Sequence, residues 1–198
     1  MDPQWFHITA HTYGAWLHGD PKSFRTRHHR EHIVGDYKNP PPPDLYATKL
    51  ARSRALLKQD PVRLEPRWWP IIGAAVKDKL IELGAELLAV SMGATHLHLQ
   101  GKMPGGPVPR EWLGRAKVYS NYKAREHGYT GKLWAVRCKM NPISDRKHQV
   151  NTFNYIVCHL KEGAWVWTFQ DPDNPQMTPG LLESPGPYGP GLSEEQPQ

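Results

Sequence analysis

With 198 residues the chain has room for one domain around a single core, which excludes a large multidomain machine. Its 25 Lys and Arg against 19 Asp and Glu give a formal charge of +6, which points to a polyanionic partner, nucleic acid ahead of an anionic membrane surface. No run of about 18 apolar residues occurs, the N-terminus lacks a basic start and an apolar stretch, and two cysteines, Cys138 and Cys158, are too few for a disulfide scaffold or a four-cysteine zinc site; the expectation is a cytoplasmic protein with reduced thiols and no membrane span.

Period-two alternation from Trp5 to Thr12, with Phe6, Ile8 and Ala10 against His7, Thr9 and His11, predicts a half-buried first strand. From Tyr13 to about Pro66 the sequence reads as a long, partly ordered insertion, broken by Pro40 to Pro43 and helical in composition only over Leu45 to Lys58. Its cluster Arg25, Arg27, Arg30, His28, His29 and His32 reads either as a phosphate contact or as a solvated loop. Arg67 to Leu83 puts Ile72, Val76, Leu80 and Leu83 on one helical stripe, with Gly84 as a stop. Glu86–Met92 and Thr95–Met103 then read as two strands of a hairpin around Gly93.

A second helix is predicted from Pro109 to about Glu126, with Trp112, Ala116 and Tyr119 inward and Arg115, Lys117, Lys123 and Arg125 more exposed, the last four being the candidate nucleic-acid contacts. Lys132 to Lys139 reads as a fourth strand, Asp145 to Lys161 as a third helix and Trp165 to Phe169 as a short closing strand. The order β-α-β-β-α-β followed by one more helix is the α+β, ferredoxin-like or split βαβ arrangement, an antiparallel sheet with two helices on one face and the other face free for ligands. The expected folded unit is residues 1–170. From Asp171 to Gln198 there are seven prolines, four glycines, five acids and no Lys or Arg, a composition that predicts a disordered acidic tail. Adding back those five acids to the chain's +6 leaves residues 1–170 at +11.

Two sets of residues carry chemistry. In the strand ATHLHLQGKM, Leu97 and Leu99 share one face and His96, His98 and Gln100 the other, so two imidazoles about 6 to 7 Å apart could reach one divalent cation or could simply sit on a polar sheet face. In the helix DRKHQVNTFNYIVCHLKEG, Val150, Phe153, Val157 and Leu160 fall on one side and His148, Thr152, Tyr155 and His159 on the opposite one. Tyr155 and His159 are one turn apart and can serve the same site, unless Tyr155 is a surface aromatic. A phenol nucleophile beside a metal is a sufficient kit for breaking a phosphodiester while keeping its energy in a phosphotyrosine bond.

His96-Leu97-His98 after a strand hairpin, then a helix, the strand GKLW, and Tyr155-Ile156 with a polar residue four positions after the tyrosine resembles the HUH family. It resembles more closely the single-tyrosine transposases of insertion sequences and the REP-associated tyrosine transposases, over about residues 5 to 12 and 67 to 163. The resemblance implies a metal-dependent single-stranded-DNA endonuclease and strand transferase that forms a 5′-phosphotyrosine intermediate, as a transposase or a domesticated relative. By position it implies Tyr155 as nucleophile and His96, His98 and His159 as ligands to Mg²⁺ or Mn²⁺, with hairpin-bearing single-stranded DNA as partner and oligomeric state, monomer or homodimer, left open. Relatives usually have Gln, Asn or Glu where His159 stands, and they lack so long an insertion. Three imidazoles suit Mn²⁺, Co²⁺ or Zn²⁺ better than Mg²⁺. Protons would compete with the metal below about pH 6.5, the ordinary His value. A two-tyrosine site is weighed against Tyr119 and Tyr122, and Tyr119 reads as core. Competing readings are a non-catalytic single-strand-binding module and an RNA-processing metal enzyme that would not need Tyr155.

Overall fold

The computed structural model describes residues 4–20, 42, 44–105, 109–171 and 173. The basic cluster between Arg25 and His32 and nearly all of the acidic tail lie outside them. Five strands, β1 (Gln4–Thr12), β2 (Glu86–Met92), β3 (His96–Met103), β4 (Trp134–Pro142) and β5 (Trp165–Thr168), form one sheet in the order β4-β1-β3-β2-β5, every pairing antiparallel. The helices are α1 (Ala47–Ala55), α2 (Trp68–Glu82), α3 (Pro109–Glu126) and α4 (Arg146–Cys158), with a 3₁₀ turn at His159–Glu162. The first four strands with α2 and α3 make the split βαβ unit, and β5 extends it beside β2. Among the described residues no helix is long and apolar enough to cross a membrane.

Alternation along the strands assigns the two sheet faces. Phe6, Ile8 and Ala10 of β1, Leu97 and Leu99 of β3 and Val90 and Met92 of β2 all join one apolar cluster with Ile72, Val76 and Leu80 of α2. Each of these side chains larger than alanine contributes about 1.5–3 kcal/mol by leaving water. Contact there is close: a Cβ on Gly73 of α2 would stand 2.3 Å from the Trp165 indole, so only glycine lets α2 settle on β5. On α3 the buried stripe is Leu113, Ala116, Ser120 and Ala124, each three or four residues from the next.

Four expectations change. Tyr119 is half-buried rather than core: it lies between the Lys79 and Lys123 ammonium groups, 5.4 and 5.6 Å from its ring. Lys117 is buried, not exposed, because its long stem reaches under β4 and its Nζ donates to the backbone carbonyls of Ala135 and Val136. On α4 the buried residues are Thr152, Ile156 and Val157, whereas Val150 is exposed and Phe153 half-buried. The helix faces a sheet side carrying His98, Gln100 and Ser91, so a threonine fits where a bulkier apolar residue was expected. The end of the insertion is pinned rather than irregular. Val62 N–H donates to Tyr13 C=O at 2.7 Å, Leu64 N–H to Ala94 C=O at 2.7 Å, and the Leu64 side chain enters the core.

Candidate active site

The face opposite the main core is polar because the alternate residues of β1 and β3 are polar. Strand register sets His7 opposite Gln100, Thr9 opposite His98 and His11 opposite His96. Helix α4 is laid across this face from a firm start. Asp145 caps it by accepting from the His148 backbone N–H at 2.8 Å, and Gln100 Nε2 donates to Gln149 C=O at 2.9 Å. Two turns later Tyr155 projects toward β1 and β3. The 3₁₀ turn then places His159, and Gly163 at φ 80° closes that turn in the left-handed region that a side chain would oppose.

The predicted residues come together. The His98 and His159 rings stack at 4.9 Å and 5°, the His96 ring lies 4.8 Å from His98 and 5.8 Å from His159, and the ligating nitrogens of all three lie within 4.8 Å of one another. The Tyr155 ring meets three imidazoles edge-on, His159 at 4.9 Å, His98 at 5.2 Å and His7 at 5.7 Å. The residue remains 39% exposed.

Outer partners orient the rings. Glu162 Oε2 accepts from His159 Nδ1 at 3.0 Å, which fixes the proton on Nδ1 and presents the Nε2 lone pair. That Nε2 is buried and has no hydrogen-bond partner among the described residues. An orphaned nitrogen of this kind costs about 1–3 kcal/mol, which a cation removes. His96 Nδ1 lies 3.1 Å from Thr95 Oγ1, and His98 Nδ1 lies 3.1 Å from both Thr9 Oγ1 and His7 Nε2. The donor set therefore fits a divalent cation.

Electrostatics favours the ligating forms. Burial, reinforced by the neighbouring imidazoles, pushes His98 down to about 2. Burial first, then the charges on Lys139, His148 and His159, pushes His7 down to about 4. His96 is lowered chiefly by burial. These rings are neutral at pH 7, as metal ligation requires. Tyr155 is raised, by burial first and then by the nearby Glu162 and Cys158, so it is a neutral phenol at rest.

No family model matches the chain, and no curated protein matches it. Among solved structures the chain is similar to one described as a REP-associated tyrosine transposase bound to a REP hairpin, at 13% identity and a TM-score of 0.47, over 82% of this chain and 70% of that one.

Arg115, Lys123 and Arg125, the basic residues expected to contact nucleic acid, are not at this site. They stand on α3, in the layer behind the sheet. Lys123 is engaged with Glu126 at 2.9 Å, and the Arg115 guanidinium lies 5.6 Å from the Trp112 ring. Tyr119 and Tyr122 flank the same α3 surface, remote from the imidazoles. Three residues were not singled out from the sequence as parts of the site: His7, Thr9 and Glu162. The first two are signalled by the alternation of β1 once its pairing with β3 is known. Glu162 is signalled by its spacing of three from His159 on a helical turn.

Proposed function

We propose that the protein is a metal-dependent endonuclease and strand transferase acting on single-stranded, hairpin-bearing DNA, with Tyr155 as the nucleophile, and that it serves as a transposase or a domesticated relative. The observation carrying this reading is the edge-on packing of one partly exposed phenol against His7, His98 and His159, next to three imidazole nitrogens gathered for one cation. A phenol so placed has no role in the core and little reason to be there except to react.

Tyr155 Oη attacks the scissile phosphorus. The O–P bond to tyrosine forms, the bond to the 3′ oxygen breaks, and the departing 3′ oxygen takes up a proton equivalent to the one the phenol gives up. The product is a 5′-phosphotyrosine and a free 3′-hydroxyl. Attack by another 3′-hydroxyl reverses the exchange and joins strands, so bond energy is kept and no nucleotide cofactor is needed. His96, His98 and His159 would hold Mn²⁺ or Mg²⁺, which supplies charge stabilisation at the phosphate when bound. Glu162 keeps the His159 lone pair inward, Thr9 and His7 hold the His98 ring, and α4 covers one side of the reacting group against water.

The test is direct. A 3′-labelled hairpin oligonucleotide incubated with Mn²⁺ and run on a denaturing gel should give a labelled covalent protein adduct. Tyr155→Phe should give none while still binding the DNA. Normal cutting by Tyr155→Phe together with loss in Tyr122→Phe sinks the assignment.

A further inference from the structure

Helix α4 covers only part of the histidine face: its neighbours are β2, β3 and β5. On the other side of the cluster, β1 and β4 continue the sheet. Cross-strand rows run Lys139–Thr9–His98 and Asn141–His7–Gln100, so Lys139 and Asn141 stand on the same face as the imidazoles, two strands or about 10 Å from β3. Arg137, two residues before Lys139, is exposed where the β1–β4 register shifts between Ala10 and Thr12, beside this row. Both cations are exposed and neither pairs with an acid among the described residues. Neither β1 nor β4 contains a single Asp or Glu. The charge of Lys139 is felt at His7, whose ring lies 5.7 Å from that of Tyr155.

We infer that the β1–β4 half of the sheet is the docking surface for single-stranded DNA, with Arg137 and Lys139 holding backbone phosphates that flank the one Tyr155 attacks. The choice of DNA rests on the proposed function, and the surface replaces α3 as the principal contact. The strip is two strands wide, walled by α4 on one side and ending on the other in β4, the edge strand among the described residues. That shape accepts one extended strand lying along the sheet. Arg137 and Lys139 are about 6 to 7 Å apart along β4, a spacing at which two successive phosphates of such a strand can each be met. On α3, by contrast, Lys117 is occupied by backbone carbonyls and Lys123 by Glu126.

The experiment is fluorescence anisotropy of a labelled oligonucleotide carrying a hairpin and a single-stranded flank, in EDTA so that binding is read without cleavage, titrated at several salt concentrations. The Arg137→Ala/Lys139→Ala chain should bind at least about 10-fold more weakly. The slope of log affinity against log salt should fall by about 1.4, since each single-strand phosphate contact contributes about 0.7. Arg137→Lys/Lys139→Arg should stay near wild type, and Arg115→Ala/Arg125→Ala should change affinity by less than about 2-fold, there being no phosphate contact to lose. All four side chains are exposed, and an unchanged melting temperature confirms intact folding. An unchanged slope in the β4 variant, or a larger loss in the α3 variant, overturns the proposal. Adduct formation is scored separately: wild-type adduct with β4-independent binding refutes the surface and keeps the nucleophile, whereas β4-dependent binding without any adduct keeps the surface and refutes the nucleophile.

Discussion

The two faces of one sheet do opposite work. Toward α2 and α3 the strands offer Ile8, Leu97, Leu99, Val90 and Met92, all fully buried, and stability comes from burial of apolar side chains. Toward α4 the same strands offer His7, Thr9, His96, His98 and Gln100, and here the His159 Nε2 and the Gln100 carbonyl oxygen lack partners among the described residues. Residues one apart in sequence thus belong to different problems. The apolar face secures the position of the polar face, so the polar face can carry groups that burial alone would not keep.

That contrast can be broken most severely at Tyr155. Tyr155→Phe is expected to abolish covalent adduct while the melting temperature and DNA affinity stay near wild type, because the lost hydroxyl packs nothing. Next, Leu99→Ala and His159→Ala should separate the faces. Leu99→Ala should cost about 2–5 kcal/mol in denaturant unfolding, the range for emptying a well-packed leucine site. His159→Ala should leave unfolding almost unchanged yet raise the Mn²⁺ concentration for half-maximal cleavage beyond the roughly 10–100-fold typical of an outer-shell loss. His159→Gln should shift preference back toward Mg²⁺ by supplying an oxygen ligand. Superimposable Mn²⁺ titrations for wild type and His159→Ala would remove His159 from the site.

A smaller effect is expected at Glu162. Glu162→Ala should weaken metal binding within that 10–100-fold window, and Glu162→Gln should recover most of it, since an amide oxygen still accepts from His159 Nδ1. A pH dependence tests the burial of the rings themselves. His7 and His98 are held at about 4 and about 2, and the unfolded chain takes up protons near 6.5. Between those values the unfolded state binds more protons, so stability is full above about pH 6.5 and declines as pH falls toward 4. Melting temperatures in EDTA from pH 7.5 to 4 should show that decline. A flat profile refutes the burial of these rings. The same shift moves proton competition with the metal below the ordinary His value expected from sequence alone.

Much of this was legible before the fold was known. Period-two alternation located β1 and β3 and assigned His96 and His98 to the face opposite the leucines, since one side must enter the core. Helical spacing put Tyr155 and His159 on neighbouring turns. What failed was the assignment of burial on helices whose partner surface is polar. Thr152 is buried against a sheet of histidine, glutamine and serine, and a wheel that sorts by hydrophobicity placed it outside. Lys117 failed for a related reason: its target, the carbonyls of Ala135 and Val136, exists only once β4 packs near α3. Lys139 was not singled out because its place on the histidine face depends on register with β1, a property of pairing rather than of the segment itself.

The modest anchoring of α4 bears on the order in which the molecule comes apart. Helix α2 shares the main cluster through Ile72, Val76 and Leu80, whereas α4 is held by Ile156, Val157, Thr152 and one glutamine side chain. In amide hydrogen exchange α4 should therefore open with a lower free energy than α2 or β3, as a separate cooperative unit that detaches while the sheet stays whole. Lifting that unit removes the nucleophile and one imidazole together, and leaves His96 and His98 in place on the strand.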